Sequence, residues 1–415
     1  MPAPSPFWVT PLGSTLEVAR QGLVLLMFAS AFFVLVEPAP TDLLFVLSLL
    51  CFLGSGLRLT AAMVPLILFL LLYNLGGLIG LVGFQADAKA GMFIVTSLYM
   101  GAMAMFVAFY VAYDPLRRFE IIRAGLYVSA FLASVFALMD YFAVGSVPHM
   151  MPGRATGLFK DPNVFSTFII FPAILMLQSL LIGNSKRPIT LTLMFLVVAG
   201  ALFLSFSRGA WMNFLAAAAL MALLTFALNP QGHLRSRILI IGIAAVIVGF
   251  IGISALMANE HVRAMFAERF SLVQSYDTGE TGRFGNQMRS IPLLFSSPFG
   301  LGPLQFRNHF GLEPHNTFLN AFASYGWLGG MAYLLLVVST IAIGIRATFT
   351  RSVLQPHVIG VLCPMVAVII QGVQIDTDHW RHFYWMLGVL WGLSAVVLRE
   401  PSNSHEEFSQ SPQTA

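Results

Sequence analysis

The chain has 415 residues, of which 58% are hydrophobic and only 10% charged, with a mean hydropathy of +0.82. Ordinary soluble domains carry about 25% charged residues, so this composition excludes a soluble globular protein. The formal net charge of +4 does not point to nucleic acid, because in so apolar a chain the distribution of cations across a bilayer is the informative quantity.

The first twenty residues lack a basic region ahead of a short apolar core and lack a small-residue cleavage site. They are expected to form a retained tail rather than a signal peptide. Apolar runs of about 20 residues, long enough to cross a hydrocarbon core of about 30 Å, then recur along the chain. They fall at 19–36, 42–57, 61–83, 91–112, 119–143, 164–182, 188–206, 209–228, 236–257, 323–345, 357–374 and 382–398. The expected fold is therefore all-α, a polytopic integral membrane helical bundle of about twelve transmembrane helices, with one long outer loop containing short helices. Residues 1–257 would carry the first nine spans, 258–322 the loop that holds the chemistry, 323–398 the last three spans and 399–415 a cytoplasmic tail. No sequence repeat is visible, so an inverted-repeat architecture is not inferred. Cys51 and Cys363 fall inside expected spans, which argues against a disulfide framework or a metal cluster.

Placing the N-terminus in the cytoplasm puts Arg20, Arg58, Arg117, Arg118, Arg123, Lys186 and Arg187 inside, where positive charge is expected. Arg154, Lys160, Arg208 and Arg381 are left in short outer connectors, where cations oppose that topology. Acids lean outward too, among them Asp140, Asp161, Glu313, Asp376 and Asp378. Such charges either pair with one another or line a polar cavity. Their accumulation on one face favours a cavity at the outer membrane surface.

Three stretches carry chemistry. In MPGRATGLFKDPNVFSTF (151 to 168), Asp161 and Asn163 bracket Pro162 just before an apolar run, a helix-start signal in which a side-chain oxygen caps free N–H groups. Capping does not require the neighbouring Arg154 and Lys160, which together with the positive end of the sixth span would make an anion site. In LSFSRGAW (204 to 211), Arg208 sits at a break between two spans. A guanidinium there either holds phosphate oxygens bidentately or snorkels to lipid headgroups.

The long loop is the third. Phe284, Met288, Ile291 and Phe295 form one apolar stripe, expected to lie on the bundle, while Arg283, Gln287 and Ser290 share another face. Arg289 points elsewhere on a regular helix, so Arg283 is preferred as the substrate contact. SPFGLGP (297 to 303) reads as a tight turn and not a nucleotide phosphate loop. His315 follows Pro314 and precedes the tenth span. The nine histidines show no metal-ligand spacing, so neither zinc nor any other cofactor is expected. His315 is either a structural residue at the helix start or a base able to take a proton from a hydroxyl near neutral pH.

These motifs resemble those of the O-antigen ligase and polymerase superfamily of bacterial envelope glycosyltransferases. HNTFLNAFASYGWLGG matches its His-Asn…Gly-x-x-Gly pattern at His315, Asn316, Gly326 and Gly329. GRATGLFKDPNVFS resembles its Arg-x-x-Gly…Pro-Asn segment at Arg154, Gly157, Pro162 and Asn163, and FSRGAW its Ser-Arg-Gly break at Ser207, Arg208 and Gly209. Arg283 to Pro298 with the following GLG resembles an Arg…Pro…Gly-x-Gly segment, with Gln287 standing where many members carry Trp. The resemblance spans roughly 150 to 395.

What the resemblance implies is a metal-independent transferase in the bacterial inner membrane with its site facing the periplasm. Its donor would be a glycan on undecaprenyl pyrophosphate. Arg208 and Arg283 would hold the pyrophosphate, with Arg154, Lys160, Arg289, Asn163 and Asn316 as further substrate contacts, and His315 would assist the acceptor hydroxyl. The leaving group is a pyrophosphate, so stabilising negative charge is the main task. The acceptor is lipid A core, as in a ligase, another lipid-linked glycan, as in a polymerase, or a protein hydroxyl. A transporter or lipid flippase is the reading from another class, but those proteins place charges near the bilayer midplane, whereas here most ionisable residues lie at span ends. Partners are thus lipid-linked glycans and membrane lipids, with no nucleic acid.

Overall fold

The computed structural model describes residues 11–84, 87–145, 150–270, 279–280 and 282–399. The expected tails, up to residue 10 and beyond Arg399, lie outside them. Among the described residues the chain is helical throughout, with no strand. The helices are α1 (Pro11–Ala29), α2 (Pro40–Phe52), α3 (Val64–Gly80), α4 (Ala88–Tyr113), α5 (Pro115–Tyr141), α6 (Pro162–Ile182), α7 (Pro188–Leu204), α8 (Arg208–Leu228) and α9 (Gly232–Leu256). Three short ones follow, α10 (Glu260–Phe270), α11 (Arg283–Phe295) and α12 (Phe306–Phe310), before α13 (Thr317–Thr348), α14 (Gln355–Gln371) and α15 (Arg381–Val397).

Each expected span finds its helix, from α1 to α9 and from α13 to α15. Among the described residues, eight helices are long and apolar enough to cross a membrane, while α2, α7 and α14 are apolar but shorter. A helix of 17 residues, such as α7, α14 or α15, reaches about 25 Å, a little less than the hydrocarbon core. The helix starts follow local chemistry. Proline occupies the first turn of α2, α3, α5, α6, α7 and α14, where its missing N–H costs nothing. Asp87, Asp114, Asp161 and Asn316 cap α4, α5, α6 and α13. The Asn316 cap explains why α13 begins at Thr317, six residues earlier than hydropathy alone placed it.

Central and peripheral helices differ in burial. α6 and α15 are buried along most of their length. By contrast, α9 buries only Leu234 and Ile238 and exposes Ile240, Ile243, Val246 and Phe250. An apolar surface of that extent is stable only against lipid, and the chain is an integral membrane protein. Small residues set the closest approaches. Gly388 and Gly392 of α15 lie so near α4 that an added Cβ would come within 2.5 Å of the Ala104 carbonyl and 2.8 Å of the Ala108 carbonyl. This is close packing of the small-xxx-small kind.

Connectors gather at two ends. At one, Arg118 is buried between the Gly56 and Tyr110 carbonyls and Glu17. At the other, Arg381 grips the Asp42 carboxylate through two bonds of 2.7 Å, Lys160 pairs with Glu37 at 2.7 Å, and Asp140 accepts from the backbone of Thr156 and Gly157. Mutual pairing of charges thus accounts for Lys160 and Arg381.

One expectation is reversed. The apolar stripe of α11 does not lie on the bundle: Phe284, Met288 and Phe295 are exposed, and Asn286, Gln287, Ser290 and Leu294 are buried instead. Asn286 donates to the Phe310 carbonyl and Gln287 to the carbonyls of Pro314 and His315. The loop's backbone oxygens need donors, whereas an apolar stripe facing a lipid surrounding carries no penalty.

α13 is broken at Gly326, whose φ of 65° and ψ of −171° are not helical. The turn 297–302 fills the break. Leu301 donates its N–H to the Ala323 carbonyl at 2.7 Å, and the Trp327 N–H donates to the Pro298 carbonyl at 2.9 Å. Gly300 and Gly302 adopt left-handed φ values of 78° and 101°, as a tight turn requires. A Cβ on Gly326 would fall 2.8 Å from the Pro298 oxygen. Gly326→Ala is expected to lower stability by about 1–3 kcal/mol through strain and collision, read as a fall in the thermal unfolding midpoint in nanodiscs. Gly200→Ala, in α7 with nothing near its Cβ, should show no such fall.

Candidate active site

The connector from α14 to α15 is where distant parts of the chain meet. The last carbonyls of a helix lack intrahelical partners, and here the start of α13 supplies them. Thr317 donates its N–H to the Gly372 carbonyl at 2.7 Å and its hydroxyl to the Ile375 carbonyl at 3.1 Å. Gln371, buried, bonds Thr167 of α6 and Asn213 of α8. Its amide also faces Gly209, where a Cβ would come within 3.3 Å. Arg283 at the start of α11 donates to the Gln374 carbonyl at 3.1 Å.

Asp376 completes the set. Its carboxylate accepts the His315 N–H at 3.2 Å and the Asn316 N–H at 3.0 Å, while the His315 Nδ1 stands 3.9 Å away. Clamped between these bonds and Gln287, His315 takes a left-handed φ of 47°, a conformation uncommon for a side chain of its kind and typical of functional positions. Its imidazole remains 43% exposed. Asn316, expected as a substrate contact, spends its side-chain oxygen on the N–H groups of Phe318 and Leu319.

The remaining cations divide into two groups. Arg208 opens α8, half-buried, two residues after Phe206, which has a left-handed φ of 49°. Arg154 is buried behind this turn, with Nε donating to the Ser205 carbonyl at 2.7 Å and Nη2 to Asn163 Oδ1 at 3.1 Å. It fixes the turn that presents Arg208 and engages Asn163, while Asp161 takes the capping role. The other group points away. Lys160 is turned to Glu37 rather than to Arg154, and Arg289 donates to the Glu280 carbonyl and to Asn286 near the Phe310 ring.

A cavity of about 500 Å³ opens beside Asp376, lined by Lys89, Phe93, Thr96, Leu304, Arg307, Glu313, Asn320, Asp378 and His379 among others. Arg307 pairs with Glu313. Asp378, 1% exposed, accepts from Asn320 at 3.0 Å and Tyr73 at 3.3 Å, with His379 Nδ1 at 3.2 Å. Burial raises the Asp376 carboxyl above the ordinary carboxylate range, and the neighbouring Asp378 adds to it. For His379, burial disfavours the charge, but Asp378 outweighs it and holds the imidazole above its usual value. Sequence reading noted Asp376 and Asp378 only as outward acids and missed Phe93, Asn320 and His379. The available signal was the run DTDH (376 to 379), two acids and a histidine within four residues of a short connector. Among the described residues, no three His, Cys, Asp or Glu side chains gather as metal ligands.

Residues 193–334 match the family model described as O-antigen ligase. This segment, about a third of the chain, is similar to the O-antigen ligase superfamily. No curated protein matches the chain. The matched stretch takes in Arg208, Arg283, Arg289, His315 and Asn316, and the broken helix at Gly326; it stops short of Arg154, Lys160, Asn163 and Asp376. A membrane glycosyltransferase of ligase or polymerase type is the activity that this likeness supports, with polysaccharide and lipid-linked substrates in general.

Asp376 is the residue whose loss tests the architecture of this O-antigen ligase-like site. Asp376→Ala leaves two backbone N–H groups without their acceptor and is expected to cost about 1–3 kcal/mol. A carboxyl whose folded pKa is raised favours folding most when protonated, so its contribution is lost as pH rises from the unfolded value of about 3.9 through the raised one. Asp376→Asn removes this titration. Thermal midpoints across that window should fall less steeply with pH in Asp376→Asn than in the wild type.

Proposed function

We propose that the protein transfers a glycan from undecaprenyl pyrophosphate to an acceptor hydroxyl at the periplasmic face of the bacterial inner membrane. The observation that carries this reading is the sharing of one connector by Arg283 and His315: Gln374 accepts from the guanidinium of the first, and Asp376 two residues on holds the backbone of the second. Arg208 and Arg283 bind the pyrophosphate, and Arg154 acts by bracing the 205–207 turn. Placement on Gln374 favours Arg283 over Arg289 as the donor contact.

In the reaction the acceptor oxygen attacks the anomeric carbon of the donor. The bond from that carbon to the phosphate oxygen breaks, and undecaprenyl pyrophosphate leaves with the electron pair. The acceptor proton passes to the His315 imidazole. Two guanidinium forks neutralise the departing charge, so the step calls on no metal and should proceed in excess EDTA. The polyprenyl tail stays in lipid, which is why the site sits at helix ends. The ligase reading, with lipid A core as acceptor, is preferred, and the polymerase reading is separated from it by offering lipid-linked repeat units as acceptor in the same assay.

His315→Ala should bind donor normally, since the arginines are untouched, yet lose about 10²–10⁴ in single-turnover transfer. Arg208→Lys and Arg283→Lys should instead weaken donor binding, because an ammonium cannot reproduce the bidentate fork. Near-normal transfer by donor-bound His315→Ala would remove the base from the mechanism.

Topology follows from the same proposal. In a Cys51→Ser background, Ser296→Cys should react with an impermeant thiol reagent once the outer membrane is permeabilised. Arg351→Cys, exposed at the opposite end, should react only after the inner membrane is opened. The reverse pattern would invert the orientation.

A further inference from the structure

The cavity beside Asp376 holds a feature that the donor arginines and His315 leave unexplained. Asp378 is almost completely buried, and all of its bonds, from Asn320, Tyr73 and His379, fall on one carboxylate oxygen, Oδ2. The other, Oδ1, has no hydrogen-bond partner among the described residues. Leaving a buried charged oxygen unpartnered is costly, and Asp378 borders the cavity. What the oxygen lacks is a donor. A phosphate or pyrophosphate oxygen has no proton to offer at neutral pH, whereas a sugar hydroxyl does.

Other parts of the wall fit the same occupant. Thr96 donates its hydroxyl proton to the Met92 carbonyl at 2.8 Å and leaves the oxygen to accept. Phe93 is half-buried, with its ring stacked on His379 at 3.9 Å, and gives the cavity a flat apolar side against which the C–H face of a pyranose can lie. The pair is held in register because the His379 Nε2 lies 3.1 Å from the Phe93 carbonyl. At about 500 Å³, the space falls within the range of small-molecule sites. Asp376 joins the cavity to the reaction: it lines the wall and also accepts the His315 N–H.

We propose that this cavity is the acceptor subsite, binding an uncharged sugar ring through hydroxyl donation to Asp378 Oδ1 and contact with the Phe93 ring. The proposal rests on the glycan-transfer reading. It assigns the cavity to a sugar rather than to the donor pyrophosphate because pyrophosphate oxygens accept and cannot satisfy Asp378, and to the acceptor's sugar because Asp376 joins the cavity to His315, which takes the acceptor proton.

The test is saturation-transfer NMR on the full chain in lipid nanodiscs, with methyl β-glucopyranoside and methyl β-galactopyranoside as probes. Ring protons of at least one glycoside should receive saturation from the wild type, and excess inorganic pyrophosphate should leave that signal in place. Phe93→Ala should weaken it about tenfold, the scale of one lost aromatic contact. Phe93→Leu keeps the apolar volume without the flat face and should also weaken it, which covers the case in which the alanine variant fails to fold. In transfer assays the same variants should raise the acceptor KM and leave donor binding unchanged. No saturation transfer to either glycoside, displacement by pyrophosphate, or an unchanged acceptor KM in a folded Phe93 variant would each overturn the proposal. The NMR signal needs no turnover, so it fails or succeeds separately from the reaction. A transfer-dead His315→Ala protein with no sugar signal in the wild type sinks only the subsite, while full transfer by His315→Ala sinks the catalytic reading.

Discussion

The break in α13 is the constraint on which the site depends. A continuous helix from Thr317 to Thr348 would carry its own hydrogen bonds through residue 326 and leave no place for the turn at 297–302. With Gly326 in a left-handed conformation, the Ala323 carbonyl and the Trp327 N–H are released from the helix and taken up by Leu301 and Pro298. The turn is thereby fixed, and with it α11, whose Leu294 carbonyl accepts from the Trp327 indole at 2.9 Å. Close contact between Gly76 of α3 and the backbone of Tyr325 and Gly329 locks the same region into the bundle. The helix segment before the break is then directed at the end of α14, where Asn316 caps it and Asp376 receives the residue before the cap.

A second consequence is electrostatic. Several cations at this end are taken up by acids or carbonyls. Arg381 and Lys160 are neutralised by Asp42 and Glu37, and Arg154 is consumed by the carbonyls of the 205–207 turn. Arg208 and Arg283 stay half-buried at helix starts, where the helix dipole adds positive potential. Asp376 and Asp378 lie on the same short connector as Gln374, whose carbonyl holds Arg283, and Asp376 holds the backbone of His315.

Much of this was legible in the sequence, for identifiable reasons. The spans announce themselves because every lipid-facing turn must be apolar, and Asp161, Pro162 and the Ser-Arg-Gly run mark helix starts by chemistry that acts within a few residues. Gly300 and Gly302 declared a turn for the same local reason, whereas the break at Gly326 was not read, because the expected span ran through it from 323 to 345. The orientation of α11 was not legible: periodicity locates an apolar face but does not say whether protein or lipid covers it, and in a membrane protein lipid can. Nor was the acidic cavity. Phe93 of α4, Asn320 of α13 and Asp378 of the connector before α15 are far apart in the chain, and only the packing of α3 on α13 and α4 on α15 brings them together. Lys160 and Arg154, six residues apart, suggested one anion site, but the fold turns their side chains to different partners.

The central claim is that Arg208 and Arg283 flank the donor pyrophosphate with His315 beside its reacting end. An electron cryo-microscopy map of the protein in nanodiscs loaded with undecaprenyl pyrophosphate tests it most directly. Density for the two phosphates should lie against both guanidinium groups, with the terminal phosphate toward His315 and the polyprenyl chain leaving into lipid. Phosphate density seated instead in the cavity at Asp378, or bound away from both arginines, would contradict it.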